Sequence, residues 1–99
     1  MLNIRKAVDG TALMLSLDGR LDTTTSPALE AELKKSLPGV SVLCFDCAQL
    51  AYISSAGLRV LLSAQKIMNR QGEMKLIHVS DAILEIFEVT GFSDILTIV

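Results

Sequence analysis

The stretch from Val42 to Met68 constrains the fold more than any other part of the chain. It opens with an apolar run, Val42-Leu43-Cys44-Phe45, that reads as a buried strand. It closes with Leu58, Leu61, Leu62, Gln65 and Met68, which fall on one stripe at the i, i+3, i+4 spacing of a buried helix face. Between them lies a short loop ending in Ser54-Ser55. Serine is a favoured N-cap because its hydroxyl accepts a free first-turn N–H, so the helix is expected to start at Ser54 or Ser55. Gly57 falls inside that first turn, where glycine costs about 1 kcal/mol relative to alanine. Something is therefore expected to approach the backbone closely at that point.

The rest of the chain supplies partners for this strand–loop–helix unit. Residues 2–8 form a weak first strand, and Asp9-Gly10 is a tight-turn dipeptide. Thr11 to Asp18 alternates, with Leu13, Leu15 and Leu17 on one side and Ala12, Met14, Ser16 and Asp18 on the other. An antiparallel hairpin follows from that pattern. Ser26-Pro27 signals a helix start with serine as N-cap, Leu29, Leu33 and Leu37 repeat at i, i+4, i+8, and Pro38-Gly39 stops the helix. The third strand is expected over Val40 to Asp46; being almost continuously apolar, it belongs in the middle of a sheet. The helix after the serines should run to Arg70, with Gln71-Gly72 closing it. Met74 to Val79 reads as a fourth strand and Ser80-Asp81 as the cap of a third helix with Ile83, Ile86, Phe87 and Thr90 inward. Gly91 ends that helix, and Ile95 to Val99 is a short fifth strand or a last helical turn. The order ββαβαβα(β) predicts one α/β domain over residues 1–99. Its mixed sheet has four to five strands, with helices mainly on one face.

Composition narrows the function. A chain of 99 residues that is 51% hydrophobic, with three phenylalanines, one tyrosine and no tryptophan, builds one aliphatic core. A net charge of −2 gives no electrostatic reason to bind nucleic acid or an anionic membrane. No apolar run approaches the roughly 18 residues of a membrane span. Arg5 and Lys6 are followed by no apolar segment before Asp9-Gly10, so a signal peptide is not visible and a cytoplasmic protein is expected. Cys44 and Cys47 form a Cys-x-x-Cys, but Cys44 lies within the strand and the helix starts well beyond it. The pair reads as a buried thiol beside a loop thiol, not as a redox or zinc motif. No metal or cofactor is expected. Ser55, His78 and Asp46 are the ingredients of a catalytic triad, yet Gly-x-Ser-x-Gly is absent around Ser55, and no phosphate-binding loop is present. An enzyme is not expected.

Ile53-Ser54-Ser55-Ala56-Gly57-Leu58-Arg59 resembles the signature loop of the STAS domain, the fold of bacterial anti-sigma factor antagonists. In that pattern an aspartate precedes the phosphorylated serine, which is followed by one small residue and Gly-Leu. Ser55 matches the acceptor, Ala56 the small residue and Gly57-Leu58 the pair, while Ser54 stands in place of the aspartate. Gly19-Arg20-Leu21-Asp22 and Asp46 are similar to further family positions, and the likeness reaches Thr90-Gly91-Phe92. The resemblance implies a STAS-like fold and a protein-binding module switched by phosphorylation of Ser55, or less readily of Ser54. It implies a contact surface of Asp22, Thr23, Thr24, Ser54, Ala56, Gly57, Leu58 and Arg59. The implied partners are an anti-sigma factor with serine kinase activity, whose capture frees a sigma factor, and a PP2C-type serine phosphatase that resets the switch. The alternative is a constitutive STAS subunit of a larger assembly, such as the partner of a lipid-transport ATPase, with Ser55 only a cap. For the switch, the N–H groups near Gly57 and Leu58, the helix dipole and Arg59 are expected to hold the phosphate.

Overall fold

A computed structural model describes residues Met1–Val99. The elements follow in the order β1 (Leu2–Asp9), β2 (Ala12–Leu21), α1 (Ser26–Ser36), β3 (Val42–Ile53), α2 (Ser55–Gln71), β4 (Glu73–Ile77), α3 (Asp81–Thr90) and a 3-10 turn (Phe92–Asp94). The sheet order is β1-β2-β3-β4, with β1 antiparallel to β2 and the other two pairings parallel. This is the mixed α/β sheet that the pattern of elements predicts.

Alternation decides the layers. Leu13, Leu15 and Leu17 are fully buried and share one core with Leu29 and Leu33 of α1, Leu58 and Leu61 of α2, and Ile83 and Phe87 of α3. Each such side chain contributes about 1.5–3 kcal/mol by burial. Their neighbours on the other side of the strands, Ala12 and Met14, join Ala7, Val42, Cys44 and Ile77 in an apolar groove that no helix covers. The α2 stripe holds at Leu58, Leu61, Gln65 and Met68, while Leu62 is half-buried and Val60 and Ala64 face the core instead.

Several local expectations need correction: Thr90 is exposed and not inward, and β4 stops at Ile77, two residues before Val79. The third strand does not end at Asp46; it continues to Ile53, so no loop separates strand from serines. The long β2 provides the reason, pairing out to Leu21↔Ile53 with register shifts at Ser16/Asp18 and Gly19/Arg20. Those irregularities place Cys47, Leu50 and Ile53, three residues apart, in the core. Cys47, expected as a loop thiol, is accordingly buried. Ser26 is not the cap of α1: Thr25 occupies that position, and the buried Ser26 is the first helical residue, its N–H and hydroxyl donating to the Asp22 carbonyl at 2.8 and 2.5 Å. At the C-terminus no helical turn forms within Ile95 to Val99, because the turn comes earlier, at Phe92–Asp94, and the strand reading holds only as a bridge. A 3-10 turn is followed by a single parallel bridge, Leu76↔Ile98.

Candidate docking site at the start of the second helix

Because Leu21 and Ile53 are register partners, the segments that follow them emerge at the same edge of the sheet. Ser54 fastens the two together. Its N–H donates to the Leu21 carbonyl at 2.9 Å, its hydroxyl accepts the Gly57 N–H at 3.4 Å, and its carbonyl accepts the Leu58 N–H at 2.9 Å. Ser54 is thus the N-cap, and Ser55 is the first helical residue with an exposed side chain. The N–H groups of Gly57 and Leu58, expected to face a phosphate, are already committed to Ser54. What remains for an anion at Ser55 is the positive end of α2 and the exposed Arg59, one turn on.

Gly57 answers the question its position raised. A Cβ there would lie 2.8 Å from Leu21 Cγ, 2.9 Å from Ile53 Cγ1 and 2.9 Å from the Leu21 carbonyl oxygen. The first turn of α2 is therefore pressed onto the ends of β2 and β3. Gly57 and Leu58 are buried and form the floor of the site; Ser55 and Arg59 are exposed on its surface, and Ala56 is half-buried.

The neighbouring loop is held by Asp22. Its Oδ1 accepts the N–H groups of Thr24 and Thr25, both at 3.0 Å, and its own N–H donates to Thr25 Oγ1 at 2.9 Å. The Thr25 backbone bond is the main reason the Asp22 carboxyl is held below its usual range. One oxygen of this carboxylate thus organises the loop, leaving Thr23 and Thr24 exposed. Thr23, Glu30, Ala56, Arg59 and Ser63 line a polar groove between α1 and α2. Arg20 and Tyr52, which the sequence did not single out, also stand at this edge. The Arg20 guanidinium lies 4.3 Å from the Tyr52 ring centroid and its Nε is 3.9 Å from Asp22 Oδ2. Their only sequence signal is that each immediately precedes a buried strand-end residue, Leu21 or Ile53.

The triad ingredients do not assemble. His78 Nδ1 lies 3.0 Å from Asp46 Oδ1, which also accepts the Ala48 N–H, and the His78 bond is the first cause of the lowered Asp46 pKa. His78 reaches it from a left-handed backbone conformation, φ 56. Ser55 follows the far end of β3, and at the rise of a strand Asp46 and Ile53 are about 23 Å apart. The cysteines are also divided: Cys44 lines the uncovered groove and Cys47 lies in the core, where burial pushes its thiol up to about 12.

Residues 4–98 match the family model described as "Mlab, STAS domain". The chain belongs to the STAS domain family. Among similar STAS proteins is BtrV of Bordetella bronchiseptica, a provisionally named anti-sigma factor antagonist. It is 39% identical over 90 residues, covering 89% of this chain and 77% of BtrV. The anti-sigma-B factor antagonist of Listeria monocytogenes is 36% identical over 83 residues, covering 81% and 72%. The STAS fold is shared with the Bacillus anti-sigma factor antagonist SpoIIAA at 16% identity. Its unphosphorylated form superposes with a TM-score of 0.77 over 100% of this chain and 87% of that one. Its phosphorylated form gives 0.75 over 100% and 91%. No helix of this STAS domain is long and apolar enough to cross a membrane.

Proposed function

We propose that this STAS domain is an anti-sigma factor antagonist whose binding is switched by phosphorylation of Ser55. Support for the partner class comes from the names of its relatives. The observation that carries the switch is the placement of Ser55: an exposed hydroxyl on the first turn of a helix whose underside is locked by Ser54 and Gly57. A kinase can reach that hydroxyl, and the scaffold below it need not move.

The mechanism is electrostatic. Phosphorylation adds about −1.5 to −2 charges at Ser55. Helix α2 offers its positive end and Arg59 offers a guanidinium, so the modified domain keeps its fold. A partner that covers the surface formed by Ser55, Ala56, Arg59 and Asp22 to Thr24 would instead bury a dianion. Uncompensated buried charge costs several kcal/mol, and each 1.4 kcal/mol is tenfold in affinity. The unphosphorylated domain captures an anti-sigma factor that is also a serine kinase and frees the sigma factor; a PP2C-type phosphatase restores the binding form.

Affinity capture with wild-type, Ser55→Ala and Ser55→Asp baits tests this, alongside mass spectrometry of Ser55 from cells. Wild type and Ser55→Ala should both retain a kinase-like anti-sigma factor, and Ser55→Asp should lose it. Recovery of a transport ATPase on all three baits would identify a fixed subunit of a larger assembly instead.

A further inference from the structure

Strand β1 is the outer edge of the sheet and pairs on one side only. Two observations set which of its backbone groups are free. Gly10 (φ 62) and Thr11 close a two-residue turn between the register partners Asp9 and Ala12. At the other end, the Arg20 N–H donates to the Met1 carbonyl at 3.1 Å, one step beyond the Leu2↔Gly19 pair. The odd-numbered residues therefore bond β2, and the N–H and C=O groups of Leu2, Ile4, Lys6 and Val8 point away from the sheet. The strand has eight residues, no proline and no register shift, and it presents an exposed Val8. Such an edge is a template for another strand unless charge blunts it. Lys6, the one charged residue among the outward set, is turned onto α1, with its Nζ 3.5 Å from the Glu32 carboxylate and 3.5 Å from the Ser36 hydroxyl. Arg5 and Asp9 lie on the uncovered face of the sheet, two positions either side of Ala7.

We infer that β1 pairs with β1 of a second copy, antiparallel and centred on Ala7, to give a symmetric dimer with a continuous sheet. Charge selects the register. Centring on Arg5 or on Lys6 places that cation opposite its own copy. Centring on Ala7 places Arg5 opposite the partner's Asp9, twice by symmetry, with Lys6 opposite the partner's Val8. The Arg5–Asp9 pairs fall at non-hydrogen-bonded positions, where side chains on adjacent strands come closest. The uncovered groove along Ala7, Ala12 and Met14 then continues across the join. Ala7 to Asp9 lie beside Met14 to Ala12, the end of β2 remote from Leu21, so both copies of Ser55 stay free. A dimer of this kind presents two docking sites to one partner assembly, which raises avidity without any new contact.

Sedimentation of the full chain from about 10 μM to about 1 mM at low salt tests it, a range suited to a small, weak interface. The mean mass should rise from 10.7 kDa towards twice that value. Arg5→Asp and Asp9→Arg, each checked for folding by circular dichroism, should each weaken association about tenfold, because like charges then face each other. An equimolar mixture of the two variants should associate again, since both contacts regain opposite charges. A monomer throughout, or a dimer indifferent to both reversals, would overturn the inference.

Discussion

Replacing Gly57 by alanine sets two effects of known size against each other. Helix propensity favours alanine by about 1 kcal/mol. Packing opposes it, because the added Cβ would meet Leu21 Cγ at 2.8 Å, Ile53 Cγ1 at 2.9 Å and the Leu21 carbonyl at 2.9 Å. None of the three can easily recede. Leu21 and Ile53 are 0% and 2% exposed, and the Leu21 carbonyl is held by the Ser54 N–H. Overpacking of this kind costs about 1–3 kcal/mol, and a contact with backbone belongs at the upper end. The net expectation is a loss of about 1–2 kcal/mol. For a domain of this size that lowers Tm by about 5–15 °C, with a matching shift in the urea midpoint. The first turn of α2 would also lift off the sheet, carrying Ser55 with it. An unchanged or raised Tm would show that helix propensity outweighs the contact, and the account of the site's rigid floor would fail.

Other consequences can be checked on the same protein. Ser54→Ala removes the cap of α2; because the bond is long, the loss should lie near the low end of the usual range, about 0.5–1 kcal/mol by urea denaturation. Asp22 and Asp46 have lowered folded-state pKa values, through the Thr25 backbone bond and the His78 bond respectively. Their contribution is present above the unfolded value of about 4 and is lost as pH falls through the folded values. Asp22→Asn and Asp46→Asn should each flatten the acid limb of a Tm-against-pH curve, and an unaltered limb would contradict the assigned bonds. Native-state alkylation near pH 8 should leave Cys47 unmodified, with its thiol raised to about 12, while Cys44 on the uncovered groove labels first. Equal labelling of both in the absence of denaturant would place Cys47 wrongly.

The elements with strong periodicity were legible from the sequence. Leu13, Leu15 and Leu17 marked the covered face of β2, and Leu29, Leu33 and Leu37 marked α1, because period 2 and period 3.6 cannot be confused over that length. The end of β3 was not legible. Beyond Asp46 its exposed residues Ala48, Gln49, Ala51 and Tyr52 resemble loop composition, and the register shifts replace alternation by a three-residue spacing of Cys47, Leu50 and Ile53. The start of α1 misled for a related reason. Ser26-Pro27 carries the signature of a cap, but Asp22 already holds the preceding loop, and Ser26 turns its hydroxyl back onto the Asp22 carbonyl. At the candidate site the sequence identified the exposed hydroxyl and the unusual glycine. It could not say which first-turn N–H groups Ser54 would occupy, nor that Arg20 and Tyr52 would stack, since both depend on how two strand ends meet in space.

The most direct measurement is the affinity of the unmodified and the Ser55-phosphorylated domain for the anti-sigma factor that the unmodified domain retains, made by calorimetry beside a melting curve of each form. A dianion enclosed at the interface should weaken binding at least about a hundredfold. The two melting temperatures should agree to within about 2 °C, because the phosphate rests at a helix start and not in the core. Equal affinities for the two forms would contradict the switch, and so would a phosphorylated domain that releases its partner only because it has unfolded.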